Sequence, residues 1–98
     1  MSHVIKRDGD SLTVQVFGRL DINTAPELEA ELVPQLEGVS TLTIDLAQVN
    51  YVSSMGLRLL LSLQKRMAKQ GSMVVTNVSP EVMELFEETG FAAILTIV

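Results

Sequence analysis

The chain has 98 residues, 12 acidic and 7 basic, with a net charge of −5 and an apolar content of 47%, which is enough for one small core and excludes generic attraction to nucleic acid or anionic lipid. Cysteine is absent and His3 is the single histidine, so there is no basis for disulfides, thiolate chemistry or a metal site, and serine hydrolysis lacks its usual base. Residues 1–7 carry no apolar signal segment and no stretch approaches the roughly 20 apolar residues of a membrane span, so a single cytoplasmic domain over residues 1–98 is expected.

In chain order, Val4–Lys6 and Leu12–Phe17 read as strands, and Asp8-Gly9 between them is a hairpin signal. Leu12, Val14 and Val16 alternate with Thr13 and Gln15, the period of a half-buried strand. A helix starts at Thr24, with Thr24 as its cap and Glu27 placed to complete a capping box. Leu28, Leu32, Val33 and Leu36 form its apolar stripe. Pro34 tightens its end and Gly38 suits the position beyond. Thr41–Leu46 is the third strand. Asp45 is expected to end it, and a short polar segment follows. Ser54–Gln70 is a second helix closed by Gly71, and Met73–Thr76 is a short strand. Ser79-Pro80-Glu81 opens a third helix, which carries Val82, Leu85 and Phe86 and ends at Gly90. Ile94–Val98 reads as a terminal strand. The order β-β-α-β-α-β-α-β predicts an α/β fold: a mixed, mostly parallel sheet with an N-terminal hairpin and three main helices.

On an ideal helix at about 100° per residue, Arg58, Ser62, Lys65 and Lys69 fall on the side of Ser54. Gly56, Leu59, Leu60, Leu63 and Met67 gather on the other side and face the sheet. Ser54 therefore heads the solvent face. Met55, Leu57 and Leu61 lie outside the buried arc and are expected to be at least partly exposed, as a partner footprint or as ordinary surface leucines. Ser53 and Ser54 both suit a helix cap, and one of them is expected to serve as one. Lys65, Arg66 and Lys69 either meet an acidic partner or complement the helix dipole.

Several segments, in order, carry a resemblance. Gly18-Arg19-Leu20-Asp21 followed by Thr24, then Ile44-Asp45-Leu46, then Tyr51-Val52-Ser53-Ser54-Met55-Gly56-Leu57-Arg58, then Gly71 through Pro80 and Thr89-Gly90-Phe91, resemble the landmarks of the STAS-domain anti-sigma factor antagonists. The family often has Asp before its phospho-acceptor serine and a small residue after it. Here those positions hold Ser53 and Met55.

The resemblance implies a STAS fold and a partner switch without enzymatic activity. The unphosphorylated protein would bind a serine-protein kinase of histidine-kinase-like fold that doubles as an anti-sigma factor, and so free that kinase's client. Phosphorylation, with Ser54 as the equivalent acceptor, would end the interaction, and a PP2C-type phosphatase would reverse it. ATP and divalent metal would belong to those partners, so no cofactor is expected in this chain. The partner surface is expected at Asp21, Asn23, Thr24, Ser53, Ser54, Met55, Gly56, Leu57, Arg58 and Leu61: the resemblance implies it for Asp21, position beside the helix start for Asn23 and Thr24, and the serine motif with its helical face for the others; a monomer is expected. The competing reading is a constitutive, non-phosphorylated STAS subunit that grips an ATPase, for example in a lipid-transport ABC complex.

Overall fold

The computed structural model describes residues 2–98. The chain opens on an antiparallel hairpin of β1 (His3–Asp8) and β2 (Ser11–Leu20), with Ile5 opposite Val14. Helix α1 (Thr24–Leu32) follows and tightens into a 3-10 turn at Val33–Gln35. Pro34 sits in the first turn of that segment, where its missing N–H costs no hydrogen bond. Next come β3 (Thr41–Val52), α2 (Ser54–Gln70), β4 (Ser72–Thr76) and α3 (Pro80–Thr89). The four strands lie in the order β1-β2-β3-β4, with β2, β3 and β4 parallel to one another.

Register explains the core. Leu12, Leu42 and Met73 are paired across the three parallel strands, and so are Val14, Ile44 and Val75. All six are buried, as are Leu28, Leu32 and Leu36 from the α1 side, Leu59, Leu60, Leu63 and Met67 of α2, and Val82 and Phe86 of α3. They belong to a single cluster. The alternate positions Thr13, Gln15, Thr41, Thr43 and Thr76 are half-buried, as expected for the second face of a one-sided sheet.

Two features fix where α2 ends. Gly71 comes so close to Ser40 that a Cβ there would fall 1.9 Å from its carbonyl oxygen, so no larger residue fits without moving the backbone. The Gln70 amide donates to the carbonyls of Leu36 and Val39, each at 2.7 Å, and ties the helix end to the loop before β3.

Three expectations are corrected. Strand β3 does not stop at Leu46 but continues to Val52, paired with β2 through register shifts between Gln15 and Phe17 and between Gly18 and Arg19. Extra residues on β3 at those shifts break the alternation that marks a strand. Asp45 therefore ends nothing: its Oδ1 accepts from the Ala47 amide at 2.9 Å and the Asn77 side chain at 3.2 Å, beside the first shift. The terminal strand expected over Ile94–Val98 is a 3-10 turn at Phe91–Ala93 followed by one parallel bridge, Val75 with Ile97. Only Leu95 of that segment is buried, so it lacks the alternating inner face that a longer strand would need.

Candidate functional site

Because β3 runs to Val52, the Ser53-Ser54 pair emerges directly from a sheet strand next to the end of β2. The Ser53 amide donates to the Leu20 carbonyl at 2.9 Å, extending the strand pairing up to the helix. Ser53 is then the N-cap of α2. Its backbone is extended, its Oγ accepts from the Gly56 amide at 3.4 Å, and its carbonyl accepts from the Leu57 amide at 2.9 Å. Ser53 is half-buried, whereas Ser54, the first helical residue, is exposed. The two serines thus divide the work. One satisfies a helix-end donor, and the other presents its hydroxyl to solvent.

Gly56 explains why this turn sits so close to β2. A Cβ at that position would stand 2.4 Å from the Leu20 carbonyl oxygen and 2.9 Å from Val52 Cγ1. Absence of a side chain lets the first turn of α2 lie on the β2 end, so the buried Gly56 positions the helix start.

The loop after β2 completes the surface. Asp21 and Thr24 form a reciprocal box: Asp21 Oδ1 accepts from the Thr24 amide at 3.1 Å, and Thr24 Oγ1 accepts from the Asp21 amide at 2.9 Å. Asp21 Oδ1 also accepts from the Asn23 amide at 3.0 Å, and the Ala25 amide donates to the Asp21 carbonyl at 2.8 Å. This corrects the expected cap. Asp21 caps the entry to α1, Thr24 supplies the return bond, and Glu27 is an exposed first-turn acid. These amide donors, Thr24 before Asn23, together with the Arg19 guanidinium hold the Asp21 carboxyl below its ordinary value, against a smaller opposing effect of burial.

Arg19 links the loop to the strand before the serine. Its Nε is 3.1 Å from Asp21 Oδ2, and its guanidinium lies 4.3 Å from the centroid of the Tyr51 ring. Tyr51 is 43% exposed, and Ile22, at the tip of the loop, is 67% exposed. Sequence reasoning assigned no site role to Arg19, Ile22 or Tyr51. The available signal for Ile22 was an isolated apolar residue between Asp21 and Asn23, in a loop that needs none for packing.

The remaining predicted positions separate. Asn23 and Arg58 are exposed, Thr24, Met55 and Leu61 are half-buried, and Met55 packs against the core. Leu57 was expected to be exposed but is only 8% so. It lies about 60° from Leu60 on the helix, so the apolar arc is wider on that flank than a two-face division allows. Met55 and Arg58 line a groove between α1 and α2, facing Ala25, Pro26 and Glu29.

Against known proteins, residues 3–97 match the family model described as "Mlab, STAS domain". The chain is 34% identical over 94 residues to the anti-sigma-B factor antagonist of Bacillus subtilis, covering 95% of this chain and 86% of that one. It is 37% identical over 83 residues to the anti-sigma-B factor antagonist of Staphylococcus epidermidis, covering 83% and 77%. The chain belongs to the STAS-domain family of anti-sigma factor antagonists. Among solved structures, an anti-sigma factor antagonist from Mycobacterium paratuberculosis shares the fold with a TM-score of 0.85 at 24% identity, covering 97% of this chain and 82% of that one. The anti-sigma factor antagonist SpoIIAA in its unphosphorylated form gives 0.84 at 19% identity, covering 98% and 87%.

Proposed function

We propose that this protein is an anti-sigma factor antagonist that works by partner switching, with Ser54 as its phosphorylation site. The unphosphorylated form binds a serine-protein kinase of histidine-kinase-like fold that also acts as the anti-sigma factor, and that kinase's client is freed. Phosphorylation of Ser54 ends the interaction, and a PP2C-type phosphatase restores the binding form. ATP and divalent metal serve those partners. The protein itself is a binding module and not an enzyme.

The observation that carries this reading is the division between the two serines. Ser53 is used by the helix, while Ser54 is exposed on a helix start that is bound to Leu20, the last residue of β2 before the loop of Asp21, Ile22 and Asn23. A phosphate adds about −1.5 to −2 charges at pH 7. At the N-terminus of a 17-residue helix the dipole tolerates that charge, so the fold persists. A partner seated over Ile22 and Met55 would have to desolvate the charge, so affinity falls without a structural change.

The relatives' names support the antagonist part of this reading. The family model is named for Mlab and not for an antagonist, so membership alone does not decide against a constitutive subunit that grips an ATPase. Leu57 is buried and Leu61 half-buried, so the α2 face offers such a grip less apolar surface than the helical wheel implies.

The test is intact mass after incubation with ATP and the candidate kinase, for wild type, Ser53→Ala and Ser54→Ala. One phosphate, about 80 Da, is expected on the first two and none on Ser54→Ala. No phosphate on wild type, from a kinase active on another substrate, would favour the constitutive subunit.

A further inference from the structure

We propose that Arg58 is the counter-ion of the Ser54 phosphate, so that modification also withdraws a cation from the mouth of the α1–α2 groove. This rests on Ser54 being the modified residue. Helix α2 is unusual in this acidic chain: its charged side chains are Arg58, Lys65, Arg66 and Lys69, with no carboxylate among them. Arg58 follows Ser54 by four residues, the spacing that stacks two side chains one turn apart on a helix face, with Cβ atoms about 5–6 Å apart. Both residues are exposed.

The other charged groups nearby leave Arg58 available. The ion pairs among the described residues are His3 with Glu31 and Arg19 with Asp21. Arg19 is therefore engaged by Asp21 and by the Tyr51 ring. Glu29 lines the same groove as Arg58 and Met55 but forms no ion pair with Arg58. Lys65 lies 11 residues beyond Ser54, about 16 Å along the axis at 1.5 Å per residue, and Arg66 and Lys69 are farther. Of the cations on α2, Arg58 is thus the one within reach of a phosphate on Ser54. In the unmodified protein the same guanidinium is free at the groove mouth for an acidic group of the partner. In the modified protein it is bound to the phosphate and holds it as the dianion at neutral pH.

The experiment uses the full chain with phosphoserine incorporated at position 54 during translation, so its outcome does not depend on a kinase. The phosphate is titrated by 31P NMR in otherwise unaltered protein, in Arg58→Gln and in Lys69→Gln, with folding checked by circular dichroism. Arg58→Gln is expected to raise the midpoint by about 0.5–1 pH unit, and Lys69→Gln, which changes net charge equally, to leave it within about 0.1. An unchanged midpoint in Arg58→Gln, or an equal rise in Lys69→Gln, overturns the proposal. Failure of kinase labelling would instead remove the partner-switch reading and leave this titration unaffected.

Discussion

Helices α2 and α3 begin with the same capping device and differ in their first helical residue and in their seating. Ser53 and Ser79 are both extended N-caps whose hydroxyls accept from the amide three residues on, Gly56 and Val82, and whose carbonyls accept from the amide four residues on, Leu57 and Met83. The first helical residue is then Pro80 in α3, a common solution that fixes φ and carries no donor. In α2 that position holds Ser54. Since Pro80 shows that the position needs no side-chain donor or acceptor, the Ser54 hydroxyl is free of a folding task. The second difference is seating. The α2 start is pinned to β2 through Leu20, which receives the Ser53 amide and excludes a Cβ at Gly56. A rigid platform therefore carries a side chain with no structural duty.

Six substitutions test how alike the two helix starts are and what the neighbouring loop adds. The largest effect is expected from Gly56→Ala, because the new Cβ meets a backbone carbonyl that cannot rotate away. A loss of about 2–3 kcal/mol in urea unfolding is expected, and a loss below about 0.5 would mean that the α2 start is loosely seated. Next, Ser53→Ala and Ser79→Ala should each lose a cap and cost about 1 kcal/mol. Unequal costs would show that the two helix starts are not equivalent.

Asp21→Ala removes the α1 cap, and its effect should depend on pH. A carboxyl whose folded value is depressed stabilises the fold fully above its unfolded value of about 4, and that contribution is lost as pH falls through the lower folded value. The stability difference between wild type and Asp21→Ala, measured by urea unfolding, should therefore be full at pH 7 and shrink at pH 3. A difference that grows on acidification would contradict the assigned cause.

The smallest effects belong to Ser54. Ser54→Ala should stay within about 0.5 kcal/mol of wild type. Ser54→Pro, which copies the α3 start, should stay within about 1 kcal/mol. A Ser54→Ala cost as large as that of Ser53→Ala would give this hydroxyl a structural role after all.

Both helix starts were legible because their signals are local. Ser54–Gln70 was read with the bounds observed, and Ser79, Pro80 and Gly90 bound α3 as expected. The sequence also picked out Ser54 as solvent-facing and Gly56 as sheet-facing, since helical periodicity carries that information. The extension of β3 to Val52 was hidden because two register shifts destroy its alternation, and only pairing with β2 restores it. The Asp21–Thr24 box was missed because its members occur in the reverse of the usual chemistry, with the acid at the cap and the hydroxyl three residues on. Burial of Leu57 depends on how wide a surface covers α2, which periodicity does not encode. Arg19 and Tyr51 come together only because β2 and β3 end side by side. Their spacing in sequence gives no sign of it.

The most direct measurement compares affinities for the kinase that labels the protein. Titration calorimetry would use unmodified protein and the phosphoserine-54 form, with circular dichroism and thermal melting run on both. A drop in affinity of at least 100-fold, with superimposable spectra and melting within about 2–4 °C, is the predicted result. Equal affinity of the two forms, or a drop accompanied by loss of folded structure, would contradict a switch that acts through the charge of one exposed residue.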